Sequence, residues 1–260
     1  MSVKAKKHLG QHFLKDLNVC RKIADQYNDF GGNGNVLEIG PGMGALTTFL
    51  LEKPAVNLHV IEIDRDSISF LKTNFPRLNG KIHEVDFLKL DPATIFGTEP
   101  FAVVGNFPYN ISSQILFKCI EHRNQIPEIM GMFQKEVAVR VAEKPGSKAY
   151  GILSVLLQTY YDIEYCFTVS ETVFDPPPKV KSGVIRCTRN KRQKLNCDED
   201  LFKRVVKTTF NQRRKTIRNG LKTLTNVKTL EHPFLDRRAE TLSVEEFIEL
   251  TEAVDANNKQ

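Results

Sequence analysis

Short apolar runs alternate with stretches of helical periodicity over the first half of the chain. The runs at 36–39, 58–63, 82–85 and 101–104 have the length of buried strands. Strands that alternate with helices indicate a mostly parallel sheet with helices packed against it. The pattern therefore predicts an α/β fold for this half, with the carboxyl ends of the strands meeting at one edge of the sheet.

The pattern changes toward the carboxyl end of the chain. Residues 150–169 predict a helix followed by a strand, and residues 180–186 predict a last strand that gives the sheet an antiparallel edge. From Asp198 the period becomes helical, and it remains so over 210–221 and again over 243–254. The predicted domains are 1–189, which contains the sheet, and 190–260, which is small and all-helical.

A glycine-rich turn follows the first predicted strand. Gly40, Gly42 and Gly44 separate this strand from a helix, and glycines in such a turn let a ligand approach the backbone. Glu62 ends the next strand, about twenty positions on, where a carboxylate can accept hydrogen bonds from ribose hydroxyls. Asp86 follows the third strand and can accept one from an adenine amino group. Each feature also occurs without any ligand, as a βα turn, a strand-end carboxylate or a helix cap.

The fourth strand ends in Asn106-Phe107-Pro108-Tyr109, the most informative stretch of the chain. The Asn106 side-chain oxygen and the Pro108 carbonyl can accept hydrogen bonds from an exocyclic amino group, and the Tyr109 ring can stack on a base. Pro108 restricts the backbone, so these groups are oriented before a substrate arrives. Since four features follow four strand ends, they should converge in one crevice.

The charge distribution favours a nucleic-acid partner. The chain has a net charge of +6, and residues 1–15 contain four Lys and no acidic residue. Residues 186–224 contain 13 Lys or Arg against three acidic residues, a local balance of +10. Clustered cations are typical of nucleic-acid binding, although many basic surfaces are only solvated.

Composition argues against a secreted, membrane-spanning or zinc-dependent protein. Hydrophobic residues make up 41% of the chain, enough for a core, but no apolar run reaches spanning length and the amino end lacks the apolar segment of a signal peptide. The five cysteines show no CxxC spacing, so we expect reduced thiols in a cytoplasmic protein and no metal site. Nothing in the sequence suggests a stable homo-oligomer, and a monomer is the expectation.

The motifs together resemble those of one known family. The chain resembles the S-adenosylmethionine-dependent small-subunit rRNA adenine N6-dimethyltransferases of the KsgA type (RsmA) over nearly its whole length. The glycine loop and acidic residues are common to many methyltransferases, and the Asn-x-Pro-Tyr loop narrows the resemblance to amino-group methylation. The matching segments are GQHFL at 10–14, EIGPGMG at 38–44, IEID at 61–64, VDFL at 85–88, GNFPYNIS at 105–112, QKEVAVR at 134–140, FDPPPKVKSGV at 174–184 and FNQRRKTIRNGL at 210–221.

The resemblance implies a Rossmann-like class I methyltransferase sheet and an enzyme whose methyl donor is S-adenosyl-L-methionine. It also implies the substrate: two adjacent adenosines in the 3′-terminal hairpin loop of small-subunit (16S) rRNA, converted to N6,N6-dimethyladenosine during small-subunit biogenesis. The partner is then an immature small ribosomal subunit. A loop base suits such an enzyme because unstacking it costs less than unstacking a paired base.

The resemblance and the motifs together nominate site residues. The family usually has Asn where this chain has His12, and a smaller aliphatic residue where it has Phe107. The residues expected to hold the donor are His12, Leu14, Gly40, Gly42, Glu62, Asp86 and Asn106. Those expected at the target adenine are Asn106, Pro108, Tyr109 and Phe174. Those expected to contact RNA are Lys4, Lys6, Lys7, Lys179, Arg213, Arg214, Lys215 and Arg218.

Three other interpretations remain open at this point. The first is a sister methyltransferase that acts on large-subunit rRNA and confers antibiotic resistance, against which the segment 210–221 argues. The second is a non-catalytic assembly or transcription factor on the same fold, against which the intact Asn106, Pro108, Tyr109 and Glu62 argue. The third is a nicotinamide oxidoreductase, which the G-x-G-x-G spacing disfavours.

Overall fold

The four strands predicted from the apolar runs are all present in the computed structural model, which describes residues 3–29 and 31–259. The bounds of each strand differ from those of its apolar run by one or two residues at one or both ends. Asn106 is the last residue of its strand, and the rest of the Asn-x-Pro-Tyr motif follows it. The strands are β1 Phe13–Leu14, β2 Asn35–Ile39, β3 Asn57–Ile61, β4 Ile82–His83, β5 Ala102–Asn106, β6 Glu128–Gln134, β7 Tyr161–Val169, β8 Phe174–Asp175 and β9 Ser182–Arg189.

The main sheet of the described chain has seven strands in the order β4-β3-β2-β5-β6-β9-β7. The pairs from β4 to β6 are parallel, and β9 runs antiparallel to β6. The prediction of a mostly parallel sheet with an antiparallel end is thus confirmed. β9 lies between β6 and β7, so β7 forms the edge. β1 and β8 form a separate antiparallel pair, with Leu14 opposite Phe174.

The helices follow the predicted alternation. Several start at a side chain that accepts backbone N–H bonds, such as Asp16, Asp64, Asp198 and Ser243. None of them, within the part of the chain that the structure describes, has the length and apolarity needed to cross a bilayer. They are α1 Leu17–Gln26, α2 Ala45–Glu52, α3 Arg65–Asn74, α4 Ala93–Phe96, α5 Ser112–Glu121, α6 Lys135–Ala142, α7 Ile152–Gln158, α8 Glu199–Asn211, α9 Ile217–Leu221 and α10 Val244–Asn258.

The register of the parallel strands places the predicted site residues side by side. Ile39 of β2 pairs with Ile61 of β3, and the N–H of Gly40 donates to the Ile61 carbonyl at 2.9 Å. Glu38 of β2 pairs with Val104 of β5. The strands are buried on both faces, which explains their nearly continuous apolar runs. The residues that follow β2, β3 and β5 therefore share one edge of the sheet.

The chain divides into two compact units. The first comprises residues 1–138 and 162–189, and the second comprises residues 139–161 and 190–260. Residues 139–161 lie in the second unit, where α7 packs against α8 and α10. The predicted domain bounds, 1–189 and 190–260, stay a prediction. The division of labour between a catalytic and an RNA-binding domain stays a prediction.

The prediction of one helix over 210–221 is wrong. α8 ends at Asn211, and α9 begins only at Ile217. Gln212, the C-cap of α8, already has non-helical dihedrals (φ −109°, ψ 37°). Thr216 has extended dihedrals (φ −70°, ψ 159°) and is the N-cap of α9, a position that favours Thr. The basic residues 213–215 therefore lie in the turn that connects α8 to α9.

Candidate active site

The glycine turn between β2 and α2 has a backbone that glycine alone adopts without strain. Gly40, Gly42 and Gly44 have φ angles of 67°, 56° and 77°, all in the left-handed region. A Cβ atom at Gly42 would also lie 2.8 Å from the Phe13 ring. Any side chain here would disturb both the turn and the segment packed on it, so the turn presents bare backbone to the cleft.

Glu62 both braces this turn and faces the cleft. Its Oε2 accepts the N–H of Gly42 at 3.1 Å, and its Oε1 accepts those of Ile63 and Asp64 at 2.9 and 3.0 Å. Burial raises the pKa of Glu62, although these three hydrogen bonds act to lower it. A carboxylate offers about four acceptor positions, so one remains for a ligand hydroxyl.

Asp86 serves as a cap and also lines the cleft. Its Oδ1 accepts the N–H of Leu88 at 2.9 Å and so caps the 3₁₀ turn Phe87–Lys89. The cap uses Oδ1 only, and the side chain is half-buried among the residues that line the cleft. The capping role and the expected ligand role of Asp86 are therefore compatible.

The Asn106 amide has a defined orientation. Its Nδ2 donates to the His12 carbonyl at 3.0 Å, which leaves Oδ1 as an acceptor in the cleft. The Pro108 carbonyl accepts the N–H of Ile111 at 3.2 Å and keeps a second lone pair. Each of the two predicted acceptors therefore keeps a free lone pair, and their contact with an amino group stays a prediction.

The Tyr109 side chain is held at its hydroxyl and on one face of its ring. Its hydroxyl lies 2.5 Å from Ser182 Oγ, and the His12 ring stacks on it with centroids 5.5 Å apart and planes 30° apart. Burial raises the pKa of Tyr109, so the hydroxyl is neutral at physiological pH. A neutral, immobilised aromatic ring is what stacking on a base requires.

Phe107 is fully buried behind the loop. Its ring occupies the space next to Gly105 and Gly131, where neither strand has a side chain, and it packs against Phe133 with centroids 4.8 Å apart. Its N–H donates to the Met132 carbonyl at 3.1 Å. The large residue at this position is thus accommodated by the glycines of β5 and β6.

The amino-terminal segment forms one wall of the cleft. β1 pairs with β8, Leu14 is buried, and His12 Nδ1 lies 2.8 Å from the Pro176 carbonyl. Earlier in the segment, Lys6 forms an ion pair with Asp64 and a second one with Asp66 at 2.8 Å. Lys6 was expected to contact RNA, and the structure places its ammonium group against these two carboxylates instead of in open solvent. Its contact with RNA stays a prediction.

Glu38 is a cleft residue that the sequence analysis did not nominate. It is 1% exposed, and Thr47 donates a hydrogen bond of 2.6 Å to its Oε2. Burial, with a smaller contribution from the charge of Glu62, raises its pKa to about 8. A carboxylate inside the apolar run of β2, directly before the glycine turn, was the available signal.

Three other predicted residues have partners within the protein, and their predicted roles at the adenine and at RNA stay predictions. Phe174 is fully buried in the core beside Leu14 and Val169 and is not among the described residues that line the cleft. Arg213 lies 3.2 Å from the Ser147 carbonyl and 3.7 Å from Glu240, and Arg218 lies 3.3 Å from Asp236. By contrast, the exposed predicted cations are Lys4, Lys7, Lys179, Arg214 and Lys215.

The cleft fits the expected methyl donor. It is lined by the glycine turn, the end of β3, Asp86, the Asn-x-Pro-Tyr loop and the segment 9–14. Bare backbone next to the amino end of a helix suits the polar amino-acid part of the donor. The carboxylates suit its ribose and amino groups. No group of three or more side chains suited to a metal ion occurs within residues 3–29 and 31–259.

Close sequence relatives cover the whole chain. The chain is 59% identical over 259 residues to "Ribosomal RNA small subunit methyltransferase A" of Flavobacterium johnsoniae, which covers 99% of this chain and 98% of that protein. It is also 59% identical to the protein of the same name from Parabacteroides distasonis, over 96% of this chain and 93% of that protein.

Solved structures of related proteins agree with the fold. A dimethyladenosine transferase from Plasmodium falciparum is 25% identical in sequence. The match covers 95% of this chain and 98% of the Plasmodium chain, with a TM-score of 0.78. The 23S rRNA methyltransferase ErmE is 26% identical in sequence. The match covers 94% of this chain and 99% of the ErmE chain, with a TM-score of 0.69. The family model "Ribosomal RNA adenine dimethylase" matches residues 2–255, and the chain therefore belongs to the ribosomal RNA adenine dimethylase family.

Proposed function

We propose that this enzyme transfers methyl groups from S-adenosyl-L-methionine to N6 of two adjacent adenosines in the 3′-terminal hairpin loop of small-subunit rRNA. The product is N6,N6-dimethyladenosine. One observation carries the proposal: Asn106 Nδ2 is bound to the His12 carbonyl, so Asn106 Oδ1 is directed to accept from an amino group, beside the Pro108 carbonyl and the Tyr109 ring. Relatives that are 59% identical carry the small-subunit name.

The donor is held by the first three strand ends. Gly40 and Gly42 give it close access to the backbone, Glu62 accepts from its ribose, and Asp86 accepts from its adenine amino group. Leu14 contributes an apolar wall. When bound, the donor supplies a methyl group already activated by its sulfonium sulfur.

The target adenine is held by the fourth strand end. Asn106 Oδ1 and the Pro108 carbonyl accept the two N6 hydrogens, which draws the nitrogen lone pair out of conjugation and toward the methyl group. Tyr109 stacks on the base. With the donor bound, its C–S bond would break as the N–C bond forms, and the alkylated nitrogen would then lose its proton to water. No side chain is needed as a general base.

RNA binding is assigned to exposed cations in both units. Arg214 and Lys215 lie in the turn before α9, and Lys4, Lys7 and Lys179 lie in the first unit. These side chains contact phosphates and supply affinity without sequence preference. The substrate particle is an immature small ribosomal subunit in the cytoplasm, and the enzyme acts as a monomer.

The test is methyl transfer from labelled S-adenosyl-L-methionine to small subunits that lack the modification, with nucleosides identified by mass spectrometry. The wild type should produce dimethyladenosine on small-subunit rRNA and none on large subunits. Asn106→Ala should abolish the transfer. Asn106→Asp should do so too, because a carboxylate cannot donate to the His12 carbonyl. Asn79→Ala, an exposed asparagine outside the cleft, is the matched control.

Two results would contradict the proposal. Transfer to large subunits alone would identify a large-subunit enzyme. Cofactor binding without any transfer to a competent small subunit would favour a non-catalytic assembly factor.

A further inference from the structure

We propose that the His12 side chain serves the target base and not the methyl donor: it is a positioning residue that backs the Tyr109 ring. The inference rests on the proposed function, because it assigns a task within the adenine site.

The imidazole ring contacts Tyr109, which is assigned to the target base, and the carbonyl of Pro176, which is not among the described residues that line the cleft. One face stacks on Tyr109, and Nδ1 lies 2.8 Å from the Pro176 carbonyl. Since a carbonyl oxygen only accepts, Nδ1 carries the hydrogen of this bond. Neither partner belongs to the group formed by the glycine turn, Glu62 and Asp86, which is assigned to the donor.

The backbone of His12 has a separate task. Its carbonyl accepts from Asn106 Nδ2 and so orients the Asn106 amide. Any residue at this position supplies that carbonyl. The side chain can therefore be replaced without loss of this carbonyl, and it is free to act on Tyr109.

The ring spacing determines where an adenine can lie. Stacked rings are about 3.5 Å apart, so a base inserted between His12 and Tyr109 would need these two rings about 7 Å apart. Their centroids are 5.5 Å apart. The adenine must then stack on the opposite face of Tyr109, with His12 as the backing ring and the Ser182 bond as the second restraint.

The substitutions separate the ring from its hydrogen bond. His12→Ala removes both, His12→Phe keeps an aromatic backing and loses the bond to Pro176, and His12→Asn keeps a donor and loses the ring. His8→Ala, an exposed histidine in the same segment, is the matched control. Each variant is measured for kcat and KM on small subunits, for donor affinity by calorimetry, and for thermal unfolding.

We expect His12→Ala and His12→Asn to lower kcat about three- to tenfold, the range of one aromatic pair, with donor affinity changed less than about twofold. His12→Phe should recover most of kcat. The Tyr109 ring resonances, assigned with Tyr109→Phe, should shift in His12→Ala in NMR spectra recorded without RNA.

Three results would overturn the inference. An unchanged kcat in His12→Ala would show that the backing ring is unimportant. A loss of donor affinity equal to the loss of activity would return His12 to the donor site. Unshifted Tyr109 resonances would show that the two rings do not stack. Failure of the wild type to methylate small subunits would instead refute the proposed function, and the NMR comparison would still decide the inference.

Discussion

Lys6 and Asp64, 58 positions apart in the chain, form an ion pair at the carboxyl end of strand β3. The Asp64 side chain is fully buried, and it also accepts from Gln11 Nε2 at 3.1 Å. Burial acts to raise the pKa of Asp64, but the bonds from Lys6 and Gln11 outweigh it and hold this pKa below its ordinary value. The pair therefore persists at neutral and mildly acidic pH and ties the segment 6–11 to the strand that ends in Glu62.

Lys6→Met should weaken donor binding, because it removes the ammonium group that holds the amino-terminal wall of the cleft. We expect the dissociation constant for S-adenosyl-L-methionine to rise about three- to tenfold, a modest effect because Lys6 is one-third exposed. Calorimetric titration measures it. Lys7→Met, an exposed neighbour, is the control, and equal affinities in the two variants would show that the ion pair does not shape the cleft.

The Lys6–Asp64 pair also shows what the sequence could not predict. Period and strand-end rules led to the prediction of Gly40, Glu62, Asp86 and Asn106, because each lies at or just beyond the end of an apolar run that indicates a strand. They do not reach contacts between distant segments, such as Asn106 with the His12 carbonyl, 94 positions away. Such contacts depend on how a loop is folded back, which no local pattern encodes.

The basic residues illustrate the same limit. The charge balance predicted a cationic surface, but it could not say which cations already have partners. Arg213 and Arg218 have carboxylates within 3.7 and 3.3 Å, whereas Arg214 and Lys215 are exposed. Arg213, Arg214 and Lys215 lie in the same turn, so the difference depends on which side chain reaches a carboxylate of another segment, and apolar spacing does not encode that.

Glu38 should make the stability of the fold depend on pH. Its pKa of about 8 in the folded protein lies above the ordinary value of 4.5. Between these values the folded state keeps a proton that the unfolded state has lost. This contribution to stability is fully present below pH 4.5 and is lost as pH rises toward 8, at up to about 1.4 kcal/mol per pH unit.

Glu38→Gln should remove that slope, because the amide is neutral at every pH and can still accept from Thr47. In urea unfolding at pH 6, 7 and 8, the free energy of unfolding of the variant should increase relative to that of the wild type as pH rises. Glu121→Gln on α5, an exposed carboxylate, is the control. A constant difference between Glu38→Gln and the wild type would show that Glu38 is already ionised at pH 6.

The predicted RNA-binding residues of the second unit form an exposed pair, Arg214 and Lys215, and a pair that contacts carboxylates, Arg213 and Arg218. The Arg214→Ala/Lys215→Ala variant should weaken binding to small subunits and reduce the slope of log K against log salt by up to about 0.7–0.9 per lost phosphate contact. The Arg213→Ala/Arg218→Ala variant should change this slope less and lower the unfolding temperature more, since it breaks contacts with Glu240 and Asp236. Filter binding from 50 to 300 mM salt measures both, and the reverse ranking would contradict the assignment.

Phe107 and Gly131 should be energetically coupled, because the Phe107 ring occupies the place of a side chain at Gly131. Gly131→Ala forces a Cβ into that ring and toward the Gly105 carbonyl, at a cost of about 1–3 kcal/mol. Phe107→Leu alone leaves a cavity and costs about 1–2 kcal/mol. In the double variant the smaller side chain makes room for the methyl group, so the cost should be lower than the sum.

The same coupling should appear in catalysis. Phe107 lies between Asn106 and Pro108 in the chain, so displacement of its ring strains the backbone that carries both acceptors. Gly131→Ala should therefore lower kcat at least about tenfold with little change in donor affinity, since a small misplacement of the acceptors is enough. Phe107→Leu in the same chain should restore part of the lost rate. A double-mutant cycle on both unfolding free energy and kcat measures the coupling, and additive effects would show that the ring does not transmit the strain to the loop.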